Sequence, residues 1–131
     1  MIIHVDGGTL GEINPSPAGI YWSFGFQDGD EFRPIVSRAT STCFHTSNEA
    51  EYVALNDALN WLLTFQIPAA TIRSDSQVIV RQINGQYEVH KPQLQELWRR
   101  SQQLLAELQE AGQQVTVEWV RREENVVRLG H

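Results

Sequence analysis

Thr46-Ser47-Asn48-Glu49-Ala50-Glu51-Tyr52-Val53-Ala54-Leu55-Asn56-Asp57-Ala58-Leu59-Asn60-Trp61-Leu62-Leu63 reads as a helix with chemistry at its start. Thr46, Ser47 and Asn48 are all N-cap types, and Glu49 and Glu51 place carboxylates in the first turn, where the helix dipole favours them. Ala50, Ala54, Ala58, Trp61, Leu62 and Phe65 recur at helical spacing and make one face apolar. Glu51 opens the row Glu51, Leu55, Ala58, Leu62, which is otherwise apolar and turned toward whatever the helix packs on. A carboxylate seldom faces inward without compensation. Glu51 is therefore either a first-turn acid at the edge of the face or one member of a site whose partners lie elsewhere.

Outward from this helix, the chain alternates strand and helix signals. Ile2 to Val5 is a short apolar run that is expected to stop in a tight turn at Asp6-Gly7-Gly8. A loop follows to Gly19, and Ala18 to Phe26 is a strand by its aromatic content. Asp28-Gly29 signals a hairpin, with Phe32 to Val36 returning. Beyond Pro68, Thr71 to Ser74 is a short strand that delivers Asp75, and Ser76 to Asn84 is a helix stopped by Gly85. Pro92 opens the longest helix, striped by Leu94, Leu97, Trp98, Leu104, Leu105 and Leu108 up to Gly112, and Val115 to Val120 alternates as a last strand. The order is α/β with a mixed sheet whose first three strands form an antiparallel meander.

Composition narrows the function classes. The 131 residues suffice for one domain, no apolar run is long enough to span a bilayer, and Met-Ile-Ile-His-Val-Asp at the start lacks a signal-peptide pattern, so a cytoplasmic location is expected. The single cysteine, Cys43, has no internal disulfide partner and, between Thr42 and Phe44, is expected to pack. A net charge of -6 argues against a protein that coats nucleic acid generally. Nine of the ten basic residues are arginine, and all but Arg33 and Arg38 lie from Arg73 onward, so a local positive surface is compatible with that charge. Arg73, Arg81, Arg99 and Arg100 are the first candidates for phosphate contacts.

Asp6 and Asp75 each follow directly on an expected strand, and sites in open α/β sheets form at the carboxyl ends of strands. Alone, Asp6-Gly7-Gly8 is an ordinary turn and Ser74-Asp75-Ser76 an ordinary helix cap. If their strands are neighbours under the Thr46 helix, however, three carboxylates converge. Their mutual repulsion then calls for divalent cations, and all-oxygen ligands favour Mg²⁺ or Mn²⁺ over zinc. Two such ions sharing carboxylates activate a water and stabilise the leaving oxygen of a phosphodiester.

With these residues in view, the chain resembles type 1 ribonuclease H. Val5-Asp6-Gly7-Gly8, Thr46-Ser47-Asn48-Glu49-Ala50-Glu51-Tyr52, Ser74-Asp75-Ser76-Gln77 and Gly85-Gln86-Tyr87 are similar to its successive motifs, and Val120-Arg121-Arg122-Glu123-Glu124-Asn125 to its C-terminal Arg-x-x-Asn motif. The resemblance implies one RNase H domain over residues 1–131, built on a five-stranded mixed sheet ordered 3-2-1-4-5 with helices on both faces. It implies Asp6, Glu51 and Asp75 as catalytic metal ligands for two Mg²⁺ or Mn²⁺ ions. Gly7, Gly8, Gly11, Asn48 and Gln77 become substrate contacts, Gly11 and Asn48 through 2′-hydroxyls, which is what choosing RNA over DNA requires. The implied activity is endonucleolytic hydrolysis of the RNA strand of RNA/DNA hybrids, without a membrane or an obligatory protein partner. An impaired hybrid-binding module and a nuclease acting on another duplex are the competing readings.

Two departures from the family pattern stand out. Gly85 leads almost directly to the Pro92 helix, leaving no room for the basic helical handle of some members, and Leu129 stands four residues after Asn125, where the family has an Asp. His131 is a candidate replacement ligand. On a continuous helix the two-residue offset from Leu129 turns its side chain by roughly 200°, so His131 reaches the site only if Gly130 breaks the helix. Otherwise it is a solvated tail residue.

Overall fold

The computed structural model describes residues 1–11, 13–41 and 44–129, with residues 126–129 described through the backbone alone. Strand β1 (Ile2–Thr9) is central in a five-stranded sheet ordered β3-β2-β1-β4-β5. It pairs antiparallel with β2 (Ile20–Asp28), from Ile2↔Gln27 to Thr9↔Ile20, and β2 pairs antiparallel with β3 (Glu31–Thr40). The β2–β3 turn puts Gly29 at φ 62, the left-handed geometry that the Asp28-Gly29 signal calls for. On its other side β1 runs parallel to β4 (Ala69–Ser74), which pairs parallel with β5 (Gln114–Trp119).

The structure corrects the expected turn at Asp6-Gly7-Gly8. Strand β1 runs straight through it, with Asp6, Gly7 and Gly8 opposite Ser23, Trp22 and Tyr21. These glycines are there for close approach, not for turning. A Cβ on Gly7 would lie 2.5 Å from the carbonyl carbon and oxygen of Ala50, and one on Gly8 would lie 2.6 Å from the Tyr21 hydroxyl. The loop proper begins only after Thr9.

Helix α1 (Ser47–Thr64) starts at Thr46, whose hydroxyl accepts from the Glu49 amide while the Glu49 carboxylate accepts from the Thr46 amide. Its inner row, Ala54, Leu55, Ala58, Leu59 and Leu62, is buried against Ile3, Val5 and Phe24 of the sheet, and Ala50 is buried over Gly7. Phe65 departs from the expected face. It is 62% exposed and packs only partly, its ring 5.5 Å from that of Trp61.

Helices α2 (Gln77–Ile83) and α3 (Pro92–Glu110) join the same layer. The Tyr52 hydroxyl donates to Gln82 at 2.7 Å, and the Ser101 hydroxyl donates to Asn56 at 2.5 Å. While α1 packs on β1 and β2 over Ile3 and Val5, α4 (Arg122–Leu129) touches β1, β2 and β3. Among the described residues, no helix is long and apolar enough to cross a membrane.

Candidate metal and nucleic-acid site

The site forms where β1 and β4 part. Their parallel pairing lasts only from Ile2↔Thr71 to His4↔Arg73, so both strands separate just before their acids arrive. Strand β1 is also where the sheet changes from antiparallel to parallel neighbours, the kind of switch point at which open sheets leave a crevice. Two β1 backbone groups beyond the last parallel pair are taken by side chains. The Asn125 amide donates to the Val5 carbonyl at 2.9 Å, and the Gly7 amide donates to the Glu51 carboxylate.

Into this crevice come Asp6 from β1, Glu51 from the first turns of α1 and Asp75 from the β4–α2 junction. One carboxylate oxygen of each lies within 4.8 Å of the others. Asp6 is 8% exposed, Glu51 7%, and Asp75 is half-buried. Because Gly7 has no side chain, the α1 backbone at Ala50 and Glu51 descends onto β1 and carries the Glu51 carboxylate inward. The Ser74 hydroxyl sits 3.5 Å from Glu51, and the Trp119 indole donates to the Asp75 carbonyl at 3.2 Å.

Burial raises the Glu51 carboxyl well above its ordinary range, and the Asp6 and Asp75 charges push it further. The Gly7 and Ser74 hydrogen bonds oppose that shift without cancelling it. Such a group gives up its proton readily to a cation and reluctantly to water. Hard oxygen donors at this spacing, with one carboxyl held up by its neighbours, fit a divalent metal ion.

The expected site residues do not all gather here. Gly7 and Gly8 line the same cleft of ≈ 320 Å³ as the three acids. Asn48 lines a separate pocket with Asn14, Thr46 and Lys91. Gly11, at φ 86, lies in the β1–β2 loop, and Gln77 is an exposed first residue of α2. His131 and Gly130 fall outside the described residues, as does Cys43, and nothing is described of the Leu129 side chain. Of the arginines singled out for phosphate, Arg73 is tied to Glu118 at 2.7 Å, Arg99 pairs with Glu96, and Arg81 lies over the Tyr87 ring.

Two charged or aromatic cleft residues escaped the reading of site residues from sequence. Arg122 and Tyr21 both line it, and the Tyr21 hydroxyl is raised above its ordinary value by burial first and then by Asp6 and Glu51, with Arg122 opposing. Arg122 belongs to the Arg-x-x-Asn stretch already singled out, which was its signal. Tyr21 had none, because only the register with Gly8 reveals where it points. A larger cavity of ≈ 510 Å³ between Tyr87 and Trp98 holds no convergent acids.

A 3-2-1-4-5 sheet with acids gathered at its switch point defines a domain of the ribonuclease H-like class. The reverse transcriptase-like family model matches residues 30–128, and the chain belongs to that family. It is 33% identical over 103 residues to Ribonuclease HI of Halobacterium salinarum, covering 78% of this chain and 49% of that one. It is 30% identical over 128 residues to the bifunctional protein Rv2228c of Mycobacterium tuberculosis, covering 95% of this chain and 32% of the relative. The chain thus spans between a third and a half of the curated relatives it matches. The N-terminal RNase H domain of Rv2228c superposes with a TM-score of 0.76 at 25% identity, over 96% of this chain and 85% of that one. LC11-RNase H1, in complex with an RNA/DNA hybrid, superposes with a TM-score of 0.73 at 28% identity, over 96% and 88%.

Proposed function

We propose that the protein is an endonuclease that hydrolyses the RNA strand of RNA/DNA hybrids with two divalent cations, Mg²⁺ or Mn²⁺, held by Asp6, Glu51 and Asp75. The observation that carries this reading is the convergence of three carboxylates within 4.8 Å in a crevice open at the strand ends. When bound, the ions would supply a nucleophilic water and charge for the leaving oxygen. The reaction adds water across one P–O ester bond, the hydroxyl going to phosphorus and the proton to the departing oxygen.

The chain's own residues prepare that reaction. Glu51 is fixed by the Gly7 amide, and its burial limits competing water. Asp75 is braced through its backbone by Trp119, so its carboxylate is aimed without being fully withdrawn from solvent. Arg122 offers a cation at the cleft wall, suited to a phosphate oxygen on the approaching strand. Gly11 and Asn48 stand outside the cleft, consistent with contacts to sugars further along the strand, and Gln77 with a contact at its rim. His131 is kept as a candidate fourth ligand.

The test is cleavage of an end-labelled RNA/DNA hybrid in Mg²⁺ and in Mn²⁺, with duplex DNA and duplex RNA as controls. Metal-dependent cutting of the RNA strand of the hybrid alone is expected. No cutting in either metal would refute the reading. Leu129, where the resemblance calls for an acid, favours a second reading, a domain that binds hybrids without cutting them. Hybrid binding without turnover would identify it.

A further inference from the structure

Tyr21 stands out among the cleft residues because its place there depends on another residue having no side chain. It faces Gly8 in the β1–β2 register, and the two-residue period of a strand puts Tyr21, Gly8 and Asp6 on the same face. An added Cβ at Gly8 would lie 2.6 Å from the Tyr21 hydroxyl and 2.8 Å from two ring carbons. The ring therefore lies across the glycine, occupying the space a side chain would fill. This carries the hydroxyl off β2, over β1 and into the cleft that holds Asp6, Glu51, Asp75 and Arg122. Diagonal neighbours on paired strands are within reach of an aromatic side chain, and here the reach is toward the acids.

The chemistry of that position is specific. The three acids can only accept hydrogen bonds once ionised, and a phosphodiester entering beside them needs donors. Arg122 is a charged donor at the cleft wall. The Tyr21 phenol is a neutral one, and like any phenol it keeps its proton at neutral pH.

We propose that Tyr21 is a substrate-positioning residue whose hydroxyl donates a hydrogen bond to the phosphodiester entering the acid cleft, and that Gly8 acts in substrate binding by admitting the Tyr21 ring. The inference rests on the nuclease reading and names a contact of that same site. It also makes residues 8 and 21 one device, so that damage to either removes the same hydrogen bond.

Tyr21→Phe keeps the ring over Gly8 and removes only the hydroxyl. Wild type and this variant are compared by thermal melting, by fluorescence anisotropy of a labelled RNA/DNA hybrid in Ca²⁺, and by steady-state cleavage in Mg²⁺ and Mn²⁺. Melting is expected to stay within about 2 °C, because the ring that fills the space over Gly8 is kept. Hybrid affinity and kcat/KM are expected to fall roughly tenfold, the size of one hydrogen bond to a charged group, with the loss in KM and kcat within about twofold. Gly8→Ala is expected to lose affinity to a similar extent, and the double variant to be no worse than the poorer single one, whereas independent roles would multiply.

Wild-type affinity and cleavage in Tyr21→Phe would overturn the proposal, as would multiplying losses in the double variant. If the wild type binds the hybrid without cutting it, the nuclease reading fails, and the affinity ratio in the anisotropy arm still decides the role of Tyr21. If the wild type binds no hybrid, both fall.

Discussion

Replacing Glu51 by Gln removes one charge from the acid cluster while keeping the side chain's shape, so it separates what the cluster costs the fold from what it does for metal. With ligand oxygens within 4.8 Å, an ionised Glu51 repels each neighbouring carboxylate by about 3.5 kcal/mol at an effective dielectric near 20. Burial adds a desolvation cost. Protonation caps the sum, because Glu51 can hold a proton instead. Without metal near neutral pH, Glu51→Gln is therefore expected to stabilise the protein by about 1–3 kcal/mol, or roughly 4 to 12 °C in Tm for a chain of this size.

The pH dependence has a definite sign. The Glu51 carboxyl is raised in the folded state, so its contribution to stability is fully present below its ordinary value of 4.5 and is lost as pH rises through the raised value. In EDTA the wild type should lose Tm across that window by an increment that Glu51→Gln lacks. Metal reverses the comparison. At a concentration tenfold above its dissociation constant, a cation stabilises the wild type by about 1.4 kcal/mol, and the variant should recover less than half of that. The assay is thermal melting of both proteins in EDTA, Mg²⁺ and Mn²⁺ over pH. A variant no more stable than wild type in EDTA, with an undiminished gain from metal, would refute the clustered-charge reasoning.

Asp75→Asn should reduce cleavage at least about a hundredfold while moving Tm by no more than roughly 3 °C, since the residue is half-buried and its backbone brace to Trp119 survives; turnover close to wild type would remove Asp75 from the site. Gly7→Ala must push α1 off β1, because its Cβ would lie 2.5 Å from the Ala50 carbonyl, and urea denaturation should show a loss of about 2–4 kcal/mol. A loss below about 1 kcal/mol would mean the helix has room that the structure does not give it. Asn125→Ala leaves the Val5 carbonyl without its 2.9 Å donor and should cost about 1–3 kcal/mol by the same measurement; an unchanged urea midpoint would mean that the bond is not needed.

What the sequence revealed of the fold followed local rules. The N-cap at the start of α1, the glycine after α2 and the Asp28-Gly29 hairpin are each decided by a few neighbouring residues, and each stands in the structure. The three acids were legible because each adjoins an apolar stretch, Asp6 after Ile2 to Val5, Asp75 at the end of β4 and Glu51 at the head of an apolar helical row, where an acid is conspicuous. Gly7 and Gly8 misled because two consecutive glycines after an apolar run imitate a turn. Their reason, the descent of α1 on one face and the Tyr21 ring on the other, is tertiary and leaves no local mark. The setting of Arg73 was hidden in the same way. Only the pairing of β4 with β5 shows that Glu118 claims it. Phe65 followed the helical period, but at the end of α1 that period outruns the sheet beneath it.

The early parting of β1 and β4 makes the cleft, in effect, a zip that stops partway. Where further pairs beyond the third would close the seam, the Val5 carbonyl is held by Asn125 and the Gly7 amide by Glu51. These two side chains act as wedges. They satisfy the backbone on the open side, so the strands gain little by closing further. The opening is therefore a property of the protein chain and not of any ion within it. A cation bound there, as proposed above, would meet a gap already open and would not have to prise the sheet apart.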